Sequence, residues 1–147
     1  MQIALAGSAI EALLGKPVVP ASWIDMPEDS FETGALPLEE EILQDEVELA
    51  RRTFAARVRE WRTSVSLTPL DAVRTSYEQQ GITIASVEWS GLADLSDEEL
   101  DYCFAVAKRL GASTLSTPLV VGLPRRLTPF AERHAMRVQF APATATV

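Results

Sequence analysis

The sequence holds very little of the material from which most catalytic and metal centres are built. Of its 147 residues one is cysteine and one is histidine. A lone Cys103 excludes an intrachain disulfide, and no Cys/His spacing supports a zinc site. Cys103 falls in a helical apolar stripe, where a thiol packs as a small hydrophobe. His134 stands at the end of a helical segment, where an imidazolium complements the helix dipole. No Ser/His/acid set can be assembled around it, and no glycine-rich phosphate loop is present. Cations are also scarce, with 13 Lys and Arg against 21 Asp and Glu, a net charge of −8. Nucleic acid is therefore not an expected partner, because phosphate binding needs clustered bases. No apolar run approaches the roughly 18–20 residues of a membrane span.

What the chain does have is a cadence of strands and helices from Leu67 to Phe140. Three β-rich apolar runs, Ile82–Trp89, Thr114–Val121 and Met136–Phe140, alternate with helix-patterned segments. That order predicts an α/β fold of parallel strands joined by helical crossovers. The punctuation is clear. Thr68-Pro69 offers an N-cap and a proline at the first helical position, with Leu70, Val73 and Tyr77 as the inner stripe and Gly81 as the helix stop. Ser96-Asp97-Glu98-Glu99 has the form of a capping box. It opens a helix whose inner face is Leu100, Cys103, Phe104, Ala107 and Leu110, closed by Gly111. Pro118 bends the second strand or ends it near Thr117. A shorter helix spans Pro124–His134, with Leu127, Phe130 and Ala131 inward and Thr128-Pro129 able to restart or kink it.

Upstream, the chain divides into an N-terminal segment with a linker, residues 1–36, and the α/β domain, residues 37–147. Leu5–Leu14 has the length of a signal-peptide core and Val19-Pro20-Ala21 could end in a cleavage site. Yet Met1-Gln2-Ile3 carries no base and Glu11 interrupts the run, so a short strand or helix packed on the domain is preferred. Cytoplasmic residence is the matching expectation, with export the alternative if residues 1–21 act as a signal. Pro17–Pro37 is proline-rich and acidic and reads as a solvated connection tethered by Trp23 and Phe31. Its acids do not match a calcium loop. Leu38–Arg62 is the strongest helix, with Leu43, Val47, Ala50, Phe54, Val58 and Trp61 on one face. Its acids lead and its bases trail, and Glu48–Arg52 forms an i,i+4 pair.

Ligands of parallel α/β folds sit beyond the carboxyl ends of the strands. That rule selects Glu88, Trp89 and Ser90 after the first strand of the series, Ser116 and Thr117 after the next, and Ala141–Thr144 after the last. Glu88, Trp89 and Thr117 are the substrate-binding candidates. Glu88 is the only ionisable group among them, able to act as a base, a hydroxyl acceptor or a weak metal ligand. It could equally pair with an arginine.

The segment Asp97–Ala112 (DEELDYCFAVAKRLGA) and the following Arg125–His134 (RRLTPFAERH) resemble successive segments of sugar phosphate isomerase/epimerase proteins. Val47–Arg62 resembles a further segment of some members. The resemblance implies the xylose-isomerase-like TIM barrel, here as half a barrel. It also implies a divalent metal as cofactor and metal-assisted proton transfer on a sugar or polyol. The family's metal ligands fall on later strands, and its histidine-containing turn is replaced by Ala141–Val147. No metal ligand and no catalytic residue is therefore assigned here, and the expectation is a truncated or degenerate isomerase/epimerase, weak or inactive. The alternative is a non-catalytic α/β module. On either reading a short parallel sheet leaves two open edges, which predicts self-association as a homo-oligomer.

Overall fold

The computed structural model describes residues 1–19 and 37–142. The Trp23 and Phe31 tethers and positions 143 and 144 of the last candidate loop lie outside these residues. The chain divides into two compact units, one of residues 1–15 with the chain from Arg62 onward, the other Lys16–Trp61. The first unit contains a four-stranded, all-parallel sheet in the order β1-β2-β3-β4. These strands are Gln2–Ala6 (β1), Thr83–Glu88 (β2), Thr114–Pro118 (β3) and Arg137–Ala141 (β4). The fold is α/β, with sequential parallel strands and helical crossovers, the arrangement of half a (βα)8 barrel.

The N-terminal residues grouped by sequence with the linker supply β1 and a helix of about two turns, α1 (Gly7–Leu13). β1 is the first strand of the sheet, paired with β2 from Gln2–Thr83 to Ala6–Glu88. Three further helices, Pro69–Gln79 (α3), Asp97–Arg109 (α4) and Leu123–His134 (α5), lie side by side against the later strands. The long helix α2 (Pro37–Ser64) runs through the second unit and enters the first at Arg62.

The sheet has two unlike faces, set by the period-two alternation of strands. Aligned residues Leu5, Val87, Leu115 and Val138 make an apolar row that is buried or half-buried. Beneath it lies a core of Leu100, Cys103, Phe104 and Leu127, each at most 1% exposed. A leucine buried this completely stabilises the fold by roughly 2 kcal/mol. The opposite face carries two rows, Ala4–Ser86–Thr114–Arg137 and Ala6–Glu88–Ser116–Gln139, all half-buried or exposed. These side chains are small or polar, so this face tolerates water.

Several local expectations meet their physical limits. Gly81 and Gly111 end their helices at φ of 74° and 85°, the left-handed region glycine enters without strain. The Ser96–Glu99 capping box forms with both reciprocal bonds. Thr68, however, does not cap α3: its backbone is already helical, and its hydroxyl accepts instead from Ser66 Oγ at 3.0 Å. Ser66 Oγ in turn accepts from the Thr68 N–H at 3.3 Å. Pro118 ends β3, and α5 runs through Pro129 without restarting.

Within the second unit α2 presents the stripe expected of it. Val47, Ala50, Phe54 and Val58 are half-buried or buried between exposed neighbours, and Trp61 is half-buried. Leu43, the first member, lies outside the described side chains. Glu48 and Arg52 pair at 2.9 Å.

Candidate functional site

Two of the hollows in the first unit bear on the residues singled out above. One, about 550 Å³, lies in the helical layer and is lined by Arg62, Asp97, Asp101, Tyr102 and Arg133 among others. Its charges already serve each other. Arg62 donates to Glu11 at 2.8 Å and to Glu99 at 2.5 Å, with all three side chains at least nine-tenths buried. Burial would lower the Arg62 pKa, but the hydrogen bonds to Glu11 and Glu99 outweigh it and raise it. Burial alone would raise the Glu99 carboxyl; bonds from Arg62 and from the Ser96 N–H and hydroxyl hold it below the usual range. Tyr102, raised by burial and by the Glu11 charge, donates its hydroxyl to Glu11 at 3.4 Å. Asp97 binds Arg126, and Asp101 accepts from Arg133 at 3.0 Å and meets His134 Nε2 at 2.8 Å. This network holds helices together.

It also accounts for the Arg125–His134 segment. Arg126 donates to the carbonyls of Ala93 and Leu95, fixing the turn before α4. Phe130 and His134 both stack on Phe104, at 6.2 and 5.7 Å between ring centroids. The lone histidine thus joins α5 to α4, besides standing in the last turn of its own helix.

The second hollow, about 320 Å³, sits at the carboxyl ends of the strands. Glu88, Trp89, Ser90, Ser116 and Thr117 all line it, so the strand-end rule brought the candidates to one place. They arrive from both faces of the sheet. Glu88 and Ser116 are register partners on the open face, and Glu88 is exposed. Thr117, 3% exposed, continues the apolar row toward the helices. Trp89 follows Val87 on the same side, its backbone N–H donating to Ser116 O at 2.8 Å.

Trp89 is 5% exposed and forms a floor to the hollow rather than an open stacking platform. It packs edge-on to Tyr102, with ring centroids 6.0 Å apart. On its other flank lies Gly7, where a Cβ would fall 2.4 Å from Trp89 Cε3. Only glycine lets the β1–α1 junction approach the indole this closely. Among the described residues the buried Trp89 Nε1–H has no hydrogen-bond partner.

Ser8 and Ala6 also line the hollow and were not among the sequence candidates. Their signal was a strand followed by a glycine-started helix, hidden in a segment that also resembled a leader. Ala141 reaches the hollow; the rest of its loop past residue 142 lies outside the described residues. A divalent cation requires several hard oxygen ligands. Among the described residues Glu88 is the single carboxylate at this hollow, and with neutral hydroxyls around it does not fit one; no group of three or more His, Cys, Asp or Glu that could hold a metal occurs among those residues.

No family model matches the chain, and no curated protein or solved structure matches it significantly.

Proposed function

We propose that the strand-end hollow binds a small hydroxylated molecule of the sugar or polyol class, and that the chain is a degenerate relative of the sugar phosphate isomerases/epimerases. The observation that carries this reading is the convergence of Glu88, Ser90, Ser116 and Thr117 on one 320 Å³ hollow. That volume suits a ligand of a few carbons. The set is a carboxylate acceptor surrounded by hydroxyls that donate or accept, the chemistry that reads a polyol.

No basic side chain among the described residues lines the hollow, and Glu88 would repel a phosphate. The reading therefore favours a neutral sugar over its phosphate ester. Among the described residues Glu88 is the only group there able to take a proton from carbon, and no second acid stands ready to return it. Binding is thus the core of the proposal, with proton transfer its ancestral extension. No step through a metal is included.

Calorimetric titration with xylose, xylitol and xylose 5-phosphate tests this. Saturable binding of the neutral pair, weaker binding of the phosphate, and a loss of about tenfold or more in Glu88→Gln are expected for a lost charge-assisted bond. Absence of saturation, or equal affinity in Glu88→Gln, overturns it.

A further inference from the structure

The four strands have the arrangement of half a barrel, and among the described residues β1 and β4 each have one unpaired edge. We propose that two copies of this chain close into one eight-stranded parallel barrel, β4 of each pairing with β1 of the other. This goes beyond the ligand reading and does not depend on it.

Strand direction allows the closure. β1 and β4 end the sheet and run parallel. A two-fold axis along the strands preserves their sense, so the second copy presents β1 to β4 in the same parallel orientation at two identical seams. Eight strands is the number at which side chains fill a barrel interior.

Backbone groups are available at both edges. In parallel pairing each residue directs both its N–H and C=O to one side, alternating along the strand. Met1 O accepts from Thr83 N, so Gln2, Ala4 and Ala6 face away from β2. Arg137 N donates to Ser113 O and Ala141 O accepts from Leu119 N, so Val138 and Phe140 face away from β3. Left open, such edges invite pairing with other chains.

The side chains that would meet inside also suit one another. On the open face β1 offers Ala4 and Ala6, while β4 offers Arg137 and Gln139. Each seam thus sets long side chains beside small ones. Glu88 and Arg137 are the only charges among the two open-face rows, so two copies bring a balanced pair of each into the interior. That charge balance and size match favour a second copy over an unrelated partner. Closure would bring the two strand-end hollows to the same mouth of the barrel.

Light scattering on the 147-residue chain is expected to give twice the chain mass. Ala4→Pro removes an outward N–H that the sheet does not use, and Ala4→Arg sets bulk and like charge against Arg137 of the second copy; both should yield monomers. Circular dichroism and thermal melting must show that each variant stays folded, and Ala4→Arg, whose side chain is exposed in one copy, guards against simple loss of β1. Within one chain β1 and β4 are about 14 Å apart, three strand spacings and too far for a disulfide. A panel joining Gln2→Cys, Ala4→Cys or Ala6→Cys to Arg137→Cys, Gln139→Cys or Ala141→Cys should therefore give interchain crosslinks only. A monomeric chain overturns the proposal. So does a dimer that folded Ala4→Arg leaves intact and that no seam pair crosslinks.

Discussion

Arg62 shows how one side chain can hold a meaning that no local pattern reveals. In sequence it is the last of the bases that complement the α2 dipole; in the structure it lies between Glu11 and Glu99, which come from 51 and 37 residues away. Glu11 looked like a flaw in an apolar run and Glu99 like one half of a capping box. The box was legible because its partners are three residues apart. The triad was not, since nothing local marks a contact between distant helices. A lone acid within an otherwise apolar stretch was the available clue, because buried carboxylates require a partner. Replacing Arg62 with Met should cost about 3–5 kcal/mol, the range for removing one member of a buried ion pair. Urea unfolding would measure it, and Arg52→Met, whose pair is exposed, should change stability by less than about 1 kcal/mol.

At the scale of elements, the sequence was clearest where a chain punctuates itself. The stop at Gly111, the Ser96 cap and the α4 stripe are all local devices, and all appear as read. The Thr68 cap fails because Thr68 is itself helical in backbone, and Ser66 Oγ accepts the Thr68 N–H instead. One helix end breaks the glycine habit. Ala135 closes α5 at φ 50°, ψ 46°, a conformation that costs an L-residue roughly 1–2 kcal/mol. Ala135→Gly should therefore stabilise the protein, by about 0.5–1 kcal/mol after the added freedom of the unfolded chain is subtracted. A thermal melt would show a higher midpoint; an unchanged or lower one would mean that the strain is relieved elsewhere.

Across the whole molecule, carboxylates tie the helical layer together and set its response to acid. Burial would raise the Asp101 carboxyl, but His134 and Arg133 hold it below its ordinary 3.8. Glu99 is likewise held below its ordinary 4.5. Both bind a proton more readily in the unfolded chain, so they stabilise the fold above those ordinary values. That contribution falls away as pH drops through the lower, folded values. Stability measured by urea from about pH 7 to pH 3 should be level with respect to these groups until about pH 4.5 and then decline, less steeply in Asp101→Asn. The strand order was readable from β2 onward because each strand has its own helix and stop signal. β1 was harder, since its crossover to β2 runs through a second unit of the chain.

One irregularity in the sheet bears on how such a protein could change. Ile3 aligns with Ile84 and Ala4 with Ser86, so Ala85 has no opposite number in β1. The sequence carries the trace: apolar residues at 82 and 84 are followed by 87 and 89, a step of three where a regular strand takes two. Ala85 is a spare residue. Its loss would sacrifice the bond its carbonyl accepts from Ser113 and shorten the strand by one step, yet leave Val87 toward the helices and Glu88 toward the open face. A single-codon deletion here would make the β1–β2 ladder regular, keeping Glu88 opposite Ala6 and Ser116 without inverting the strand. For this fold, then, β2 can lose a residue of length while its strand-end acid keeps its place among its neighbours.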